Sequence, residues 1–299
     1  MSDTRTTVTI FGPGALGGAA IDLIHIHKQF ELVSVWSRKS NDCKLFSPKT
    51  GKVLKVSKPF PSRDEDLGDL VLLTVPDDEI EAVSQQLANS GLSLKGKRIV
   101  HMSGSKNDSA LRAVKKKGAL TASLHPLQSF TKGDRAERFN GIWFTLQGDE
   151  SLHKILEQLT GLYSAGIVRM TAEQKSAMHL AAVFASNYLV SLMDIVETAA
   201  SRKGIRNSLE LLKPIIEQTL DKTFEKGAAE SLSGPVVRGD MSTLRSHLQQ
   251  IEDTDSLTSV YKVLGIAAAD LSEKAGRLDR DRADEIRELF ANKQDESKK

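Results

Sequence analysis

The chain has 299 residues, with 41 Lys and Arg against 39 Asp and Glu, and a formal net charge of +2. The basic residues are scattered, which argues against a nucleic-acid or membrane-surface binder with concentrated positive charge. This length predicts two domains with a sizeable buried core. The single Cys43 excludes an internal disulfide and the N-terminus shows no apolar signal segment, so we expect a cytoplasmic protein.

The stretch Thr7–Gly18 predicts a strand, a glycine-rich turn and a helix in immediate succession. A β-branched and aromatic run is followed by the pattern G-x-G-x-x-G. In a dinucleotide site the first glycine allows a tight turn, the second admits the pyrophosphate and the third lets helix and strand pack closely. The helix N-terminus then presents its amide groups to the phosphates. The predicted cofactor-binding residues of this turn are Gly12, Gly14, Ala15, Leu16 and Gly17.

The turn after the second predicted strand, Glu31–Trp36, bears on which dinucleotide is bound. In sites that prefer NAD, an acidic residue at this offset from the glycines binds the ribose 2′-hydroxyl. Here Ser37 holds the position, followed by Arg38 and Lys39. A hydroxyl and two cations can bind a 2′-phosphate through charge-assisted hydrogen bonds. The pattern favours NADP(H), and the alternative is a solvated basic turn.

Further apolar runs predict the rest of a mostly parallel, doubly wound sheet. The runs are Val53–Val56, Asp69–Val75, Arg98–Met102, Leu120–Leu124 and Gly141–Leu146. Ligands in such folds bind at the carboxyl ends of the strands, so the turn at Val75 and Pro76 is expected beneath the cofactor. Asp77 and Asp78, which follow, are interpreted as caps of the next helix.

Two neighbouring strand ends carry side chains suited to chemistry. Ser103 follows one strand and His125 the next, so a hydroxyl and an imidazole are expected near the nicotinamide. His125 has two interpretations of equal weight, a catalytic role and a structural role in ordering the turn before Pro126. His101, inside its strand, is interpreted as a packing residue. Gln128 is a candidate for substrate contact.

From Thr171 onward the hydrophobic period is helical. Lys175–Thr198 is predicted as one long helix with apolar residues almost all round it, which is typical of a helix buried between two surfaces. Polar residues interrupt the apolar stretch, so we predict no membrane span. Lys175 and His179 are four residues apart and share a face, and Asn187 is expected near it. Such a polar stripe is either satisfied or functional.

Other helices are predicted at Ser151–Tyr163, Ser208–Lys226, Met241–Ile251, Tyr261–Gly276 and Asp281–Asn292, and residues 293–299 are expected to be a disordered tail. The loop before Met241 contains Arg238, which either binds a substrate carboxylate or pairs with Asp240. The structural pair is the favoured interpretation, and Asp240 is also a candidate helix cap. We assign no metal-ligating residues.

Several of these segments together resemble a known family. The glycine turn, TVPDDEI, HMSGS, LHPLQSF, KSAMHLAAVFASNYLVSL and SGPVVRGD are similar to motifs of Rossmann-like proteins with a C-terminal domain of unknown function 2520. The resemblance covers nearly the whole chain. It implies an NADP-binding α/β Rossmann domain, residues 1–170, and an all-α dimerisation domain, residues 171–292. The second domain would be like those of 6-phosphogluconate dehydrogenase and pyrroline-5-carboxylate reductase, which implies a homodimer.

More distant relatives imply roles for individual residues. In prephenate dehydrogenases a similar serine and an HP turn engage the substrate hydroxyl that loses hydride, which corresponds here to Ser103 and His125. In ketopantoate reductase and β-hydroxyacid dehydrogenases a lysine that starts the long helix, in a K-x-x-x-N pattern, donates the proton. Lys175 matches that lysine, but His179 stands where the family has asparagine, so His179 is a candidate to share or take the role.

The leading hypothesis is an NADP-dependent oxidoreductase acting on a small, carboxylate-bearing C=O or C=N substrate in a cleft between the domains. His125 and Lys175 are the first candidates for the acid or base, followed by His179, with Ser103 and Asn187 orienting the substrate. The alternative is a non-catalytic NADP(H) sensor, which would not need these side chains to converge. A scaffold with a vestigial glycine turn is a weaker possibility.

Overall fold

A computed structural model describes residues 5–38, 44–46, 53–57, 60–251 and 255–291. The chain divides into two compact units, Met1–Ser186 and Asn187–Lys299. The first unit extends past residue 170, where the sequence suggests a domain boundary, and that boundary stays a prediction. Lys39 and the predicted tail, 293–299, lie outside the described residues.

The described part of the first unit is built on a sheet of nine strands. In chain order these are β1 (Thr6–Phe11), β2 (Phe30–Trp36), β3 (Lys44–Phe46), β4 (Val53–Ser57), β5 (Leu70–Leu73), β6 (Arg98–His101), β7 (Leu120–Pro126), β8 (Trp143–Gly148) and β9 (Gly166–Arg169). Their spatial order is β3-β4-β2-β1-β5-β6-β7-β8-β9. All neighbours are parallel except β3 with β4 and β7 with β8. The predicted mostly parallel, doubly wound fold is confirmed.

Helices cover both faces of this sheet because alternate residues of each strand point to opposite sides. They are α1 (Ala15–Ile26), α2 (Ile80–Asn89), α3 (Arg112–Lys115) and α4 (His153–Thr160). On β5, Leu70 and Leu72 join the core beneath α1, whereas Val71 and Leu73 join the core beneath α2 and α3. The two cores hold the carboxyl ends of β1, β5 and β6 side by side at one edge.

The last part of the sheet differs from the sequence prediction. The strand expected at Gly141–Leu146 is β8, which starts two residues later and runs antiparallel to β7. Strand β9 was not predicted, because its GIVR sequence is short and its residues are half-buried or exposed. The helix expected at Ser151–Tyr163 is a 3-10 turn, Glu150–Leu152, followed by the shorter α4.

The long helix is present, but the described chain leaves most of its residues exposed or half-buried. It runs from Ala172 to Ser201, as α5 (Ala172–Val183), a π-helical turn (Phe184–Tyr188) and α6 (Leu189–Ser201). Within this stretch, which the structure describes throughout, Lys175 alone is buried. By length and composition the stretch could cross a membrane, since an 18-residue window within it has a mean hydropathy of 1.4. The apolar pattern of the sequence does not show which surface covers these residues.

Helices make up the rest of the second unit. They are α7 (Ser208–Lys226), α8 (Ala228–Ser231), α9 (Met241–Ile251), α10 (Asp255–Lys274) and α11 (Arg280–Ala291). The bounds predicted for α7 and α9 are confirmed, whereas α10 begins six residues before the predicted Tyr261. A core centred on Leu244, Ile286 and Phe290 joins the last three helices.

Candidate functional site

The glycine-rich turn is folded tightly against the ends of two neighbouring strands. Gly12 has a φ of +93°, which residues with a side chain rarely adopt, and its N–H donates to Trp36 O at 2.9 Å. On the other side, the Thr74 hydroxyl donates to Gly12 O at 2.7 Å. A Cβ on Gly17 would lie 2.1 Å from Gly12 O and 2.6 Å from Thr74 Oγ1. Only glycine therefore allows α1 to start this close to the strands.

Val75 and Pro76 lie beside this turn, at the place expected from the sequence. Both follow Thr74, whose N–H continues the sheet by donating to Phe11 O at 2.9 Å. A Cβ on Gly12 would lie 2.9 Å from Val75 Cγ1. The end of β5 therefore forms one wall of the glycine turn.

Gly14 differs from the other two glycines because the space beside it is open. A Cβ on Gly14 would meet no atom of the described chain within 4 Å. Ala15 and Leu16 begin α1 at this point, and the first turn of the helix contains no acidic residue. Backbone N–H groups at a helix N-terminus attract anions. The open glycine and the helix start together fit the pyrophosphate of a dinucleotide.

The basic turn after β2 is held near the glycine turn, because Gly12 N–H donates to Trp36 O. Arg38 Nη1 lies 2.6 Å from Glu79 Oε1, with the two side chains 69% and 34% exposed. A 2′-phosphate bound by Arg38 would therefore compete with a carboxylate. Ser37 is half-buried at the start of this turn, and Lys39 is outside the described residues.

Asp77 does not cap a helix, and that interpretation of the sequence was wrong. It opens a 3-10 turn, Asp77–Glu79, and its carboxylate accepts a short hydrogen bond from the Ser105 hydroxyl on the loop after β6. Burial alone would raise the pKa of Asp77, but hydrogen bonds from Ser105 and Ser103 outweigh it and lower the pKa. Asp77 therefore supplies a negative charge to the same edge of the sheet.

Lys175 is hydrogen-bonded to the loop that follows β6. Its ammonium donates to three carbonyl oxygens, those of Ser103, Gly104 and Lys106, each at 2.7 Å. Lys175 is 3% exposed. It is held at the start of α5 by a capping box, in which Thr171 Oγ1 accepts from Gln174 N–H. The sequence predicts a polar face near the start of this helix. In the structure, Lys175 on that face is buried against the loop after β6.

His125 and His179 both lie against Gly104. Their ring centroids are 5.8 Å apart and the rings are nearly perpendicular. A Cβ on Gly104 would lie 2.5 Å from His179 Nδ1 and 2.8 Å from His125 Nε2. In the described chain His179 Nδ1 is buried without a hydrogen-bond partner. We call His125 and His179 the imidazole pair.

Burial and nearby charge set the protonation of His125 and Lys175. Burial, together with the positive charge of Lys175, lowers the pKa of His125 from 6.5 to about 4. Burial also lowers the pKa of Lys175 from 10.5 to about 8, although the negative charge of Asp77 opposes this change. At neutral pH the site therefore contains a neutral His125 and an ammonium on Lys175.

His101 is a structural residue, which confirms the packing interpretation. It is fully buried, its Nε2 lies 3.0 Å from Asn107 O, and its Nδ1 accepts from Ser103 N–H at 3.2 Å. Burial lowers the pKa of His101 to about 4. A neutral ring with both nitrogens engaged holds the loop after β6 and has no nitrogen left for a ligand.

Ser103 precedes Gly104, and its hydroxyl takes part in hydrogen bonds within its own loop. It is 7% exposed, and its Oγ accepts from Lys106 N–H at 3.0 Å. Its predicted contact with substrate stays a prediction. Sequence reasoning missed Gly104 and the carboxylate of Asp77 as parts of this site, and the only signal for either was its place at a strand end.

Three further predicted residues lie elsewhere in the chain. Gln128 is exposed and its Oε1 accepts from Ser129 N–H at 2.9 Å. Asn187 lies in the π-helical turn at the start of the second unit, so the regular helical spacing used to place it does not apply. Arg238 is also in the second unit, where Asp240 caps α9 by accepting from Thr243 N–H at 3.1 Å. The roles of these three residues stay predictions.

The comparisons with known proteins agree with this organisation. The model of a Rossmann-like domain matches residues 5–126, and the model named domain of unknown function (DUF2520) matches residues 142–268. The chain therefore matches a Rossmann-like domain followed by a DUF2520 domain. Within the described residues, no group of three or more His, Cys, Asp or Glu side chains is arranged to hold a metal ion.

Several solved structures share the fold of this chain. A Thermotoga maritima protein is 25% identical over 89% of this chain and 98% of its own, with a TM-score of 0.64. A Bacteroides fragilis protein named as a candidate NADP oxidoreductase is 19% identical over 89% of this chain and 99% of its own, with a TM-score of 0.71. A reductive aminase from Aspergillus terreus, solved with NADPH and ethyl levulinate, is 17% identical over 96% and 93%, with a TM-score of 0.56. No curated protein matches the chain.

Proposed function

We propose that this protein is an NADP(H)-dependent oxidoreductase that transfers hydride between the nicotinamide and a small C=O or C=N substrate. The observation that carries the proposal is the convergence of His125, His179 and Lys175 on Gly104, at the sheet edge that also holds the glycine turn. A sensor of NADP(H) would need the glycine turn but not this convergence. The bound NADPH of the Aspergillus terreus reductive aminase, which has the same fold, supports the cofactor.

The residues present fit an NADP(H) molecule. The amide groups at Ala15, Leu16 and Gly17 would hold the pyrophosphate next to Gly14, where no side chain of the described chain intrudes. Ser37 and Arg38, with Lys39 beyond them, are the proposed ligands of the 2′-phosphate. When bound, the nicotinamide supplies hydride in the reducing direction and accepts it in the oxidising direction.

The imidazole pair is the proposed proton-exchanging group. Because His125 is neutral at physiological pH, a ring nitrogen can take the proton from a hydroxyl or amine whose carbon loses hydride, and return it in the reverse reaction. The buried Nδ1 of His179, which has no hydrogen-bond partner in the described chain, offers a second acceptor or donor next to Gly104. The negative charge of Asp77 favours the protonated form of His125.

The proposed substrate carries a carboxylate, for which Arg238 is the candidate partner. The carboxylate of Asp240 accepts from the backbone and hydroxyl groups of Thr243 and from Ser242, so its described hydrogen bonds belong to the cap of α9. The charge of Arg238 also lowers the pKa of Asp240, so the pairing of these two residues remains the alternative. A guanidinium binds a carboxylate through two parallel hydrogen bonds.

Two measurements test the proposed function. Fluorescence titration should show NADPH binding, and a panel of keto acids and cyclic imines should include compounds that cause NADPH oxidation. The variant His125→Ala should lower turnover by about 100-fold or more, because general acid–base catalysis contributes that much, while NADPH affinity changes less than about twofold. An equal loss of turnover and of NADPH affinity would make His125 a structural residue, and binding without any turnover would favour the sensor.

We also propose that the protein is a homodimer and that the long helix contributes to the interface. Leu180, Phe184 and Val190 on this helix are 58%, 61% and 71% exposed, and an apolar surface of this size usually marks an interaction site. Light scattering should give twice the chain mass, and Val190→Glu should shift it towards the monomer. A monomeric wild-type protein, or one that needs detergent to stay in solution, would contradict the dimer.

A further inference from the structure

We propose that Lys175 is a positioning residue that fixes the loop Ser103–Lys106 and thereby holds Gly104 against the two imidazoles, and that it does not pass a proton to the substrate. The inference deepens the proposed function and rests on it for the identity of the reacting groups. It departs from the sequence hypothesis, in which Lys175 is one of the first two candidates for the acid.

All three N–H donors of the Lys175 ammonium are engaged in hydrogen bonds. An ammonium group has three N–H donors, and Lys175 uses three, on the carbonyl oxygens of Ser103, Gly104 and Lys106, each at 2.7 Å. With 3% of its surface exposed, the side chain is closed off from substrate. A proton could leave it only if one of these three carbonyls lost its hydrogen-bond partner, which is unfavourable away from water.

The loop that Lys175 holds also packs against the imidazole pair. Gly104 is so close to both rings that a Cβ on it would lie 2.5 Å from His179 Nδ1 and 2.8 Å from His125 Nε2. A loop at this distance cannot move towards the rings, and the three bonds to Lys175 prevent it from moving away. Because Lys175 and His179 are one helical turn apart, helix α5 both anchors the loop and contributes one of the rings.

The titratable groups that face Lys175 agree with a fixed cation. Asp77 is charged, whereas His101 and His125 on the two adjacent strands are neutral at neutral pH. Asp77 compensates the ammonium, and the ammonium in turn disfavours protonation of both histidines. A lysine that cycled between charged and neutral forms would change the proton affinity of His125 during the reaction.

Amide hydrogen exchange of the substrate-free protein tests the positioning role directly. In the wild type the Ser103 N–H donates to His101 Nδ1 and the Lys106 N–H donates to Ser103 Oγ. In Lys175→Met these two amides should exchange at least about tenfold faster, equivalent to about 1.4 kcal/mol of lost local stability. The matched control is Lys154→Met, the same change at an exposed lysine on α4. Unchanged protection in a folded Lys175→Met would overturn the proposal.

A second comparison separates positioning from proton transfer and remains available if the methionine variant does not fold. Arginine keeps the N–H donors but cannot lose a proton in this pH range. If Lys175 only positions the loop, turnover should follow amide protection across Lys175→Met, Lys175→Gln and Lys175→Arg. A variant that keeps the protection of the loop yet loses turnover about 100-fold or more would make Lys175 the acid. A wild-type protein without turnover would refute the proposed function, while the exchange result would still stand.

Discussion

The glycine turn and the imidazole pair lie at the same edge of one sheet, but they are built in different ways. The glycine turn is made of backbone, and its shape follows from contacts between Gly12, Gly17 and Thr74 that leave no room for a side chain. The imidazole pair is made of side chains from β7 and α5, held around a loop that belongs to β6.

The difference has a physical consequence for each region. At Gly12 and Gly17, close contacts leave no room for a side chain, and these contacts involve no titratable group. We therefore expect the shape of the glycine turn to be independent of pH. The imidazole pair depends on buried polar groups that must stay neutral or be paired, since an unpaired buried charge is costly. Four predictions follow from this comparison, in order of decreasing effect.

The largest effect is expected at Gly17. Gly17→Ala would place a Cβ 2.1 Å from Gly12 O and 2.6 Å from Thr74 Oγ1, and neither backbone nor a short side chain can yield that far. We expect the free energy of unfolding to fall by about 3 kcal/mol or more, measured by urea denaturation. The control Gly18→Ala, in open space within the same helix, should be neutral or slightly stabilising. A fully stable Gly17→Ala would refute the steric account.

The second effect is a loss of stability in mild acid. The pKa of His101 is about 4 in the folded chain, against about 6.5 in the unfolded chain. Between these values the unfolded state binds a proton that the folded state does not, so stability falls as pH decreases from 6.5 to 4 and is unaffected by His101 above that range. The full contribution is about 3 kcal/mol.

Substitution of His101 tests whether this residue causes the loss of stability in acid. In His101→Gln the decrease in unfolding free energy between pH 6.5 and pH 4 should be smaller than in wild type, because the titrating group is gone. His27→Gln, which changes a histidine outside the site, should keep the wild-type slope. If the slopes of all three proteins coincide, burial of His101 is not what makes the fold sensitive to acid.

The third effect concerns Gly14 and separates binding from folding. A Cβ on Gly14 meets nothing in the described chain, so Gly14→Ala should leave stability within about 1 kcal/mol of wild type. The same methyl group would crowd a bound pyrophosphate, and NADPH affinity should fall about tenfold or more. Gly18→Ala again serves as the control. Unchanged affinity in Gly14→Ala would mean that the cofactor does not use this turn.

The smallest effect is expected at Glu79, which pairs with Arg38 at 2.6 Å. In Glu79→Gln the guanidinium no longer has to leave a carboxylate to bind a 2′-phosphate, so NADPH should bind a few times more tightly, within the range of about 1 kcal/mol for an exposed ion pair. NADH affinity should not change. Glu81→Gln, which removes the partner of Lys106 instead, is the matched control. Weaker NADPH binding in Glu79→Gln would contradict this competition.

Much of the fold could be predicted because its signals are local. The run before Gly12, the apolar strand before Thr74 and the bounds of α7 and α9 follow from periodicity and turn chemistry. The strand β9 could not be predicted, since its four residues show no alternation and become a strand only through pairing with β8. The described chain does not cover the long helix, and its predicted burial against another surface stays a prediction, because an apolar stretch does not reveal which surface covers it.

By itself, the sequence determined the glycine turn, the basic residues after β2 and the presence of histidines at or near one edge of the sheet. Those features depend on backbone conformation and on residues close together in the chain. The tertiary structure decided what the polar residues do there. It turned Asp77 towards Ser105, placed Gly104 against both imidazoles and gave Lys175 three carbonyl partners. These contacts join separate strands and a helix, and they form only when the packed sheet excludes water from groups that must then satisfy one another.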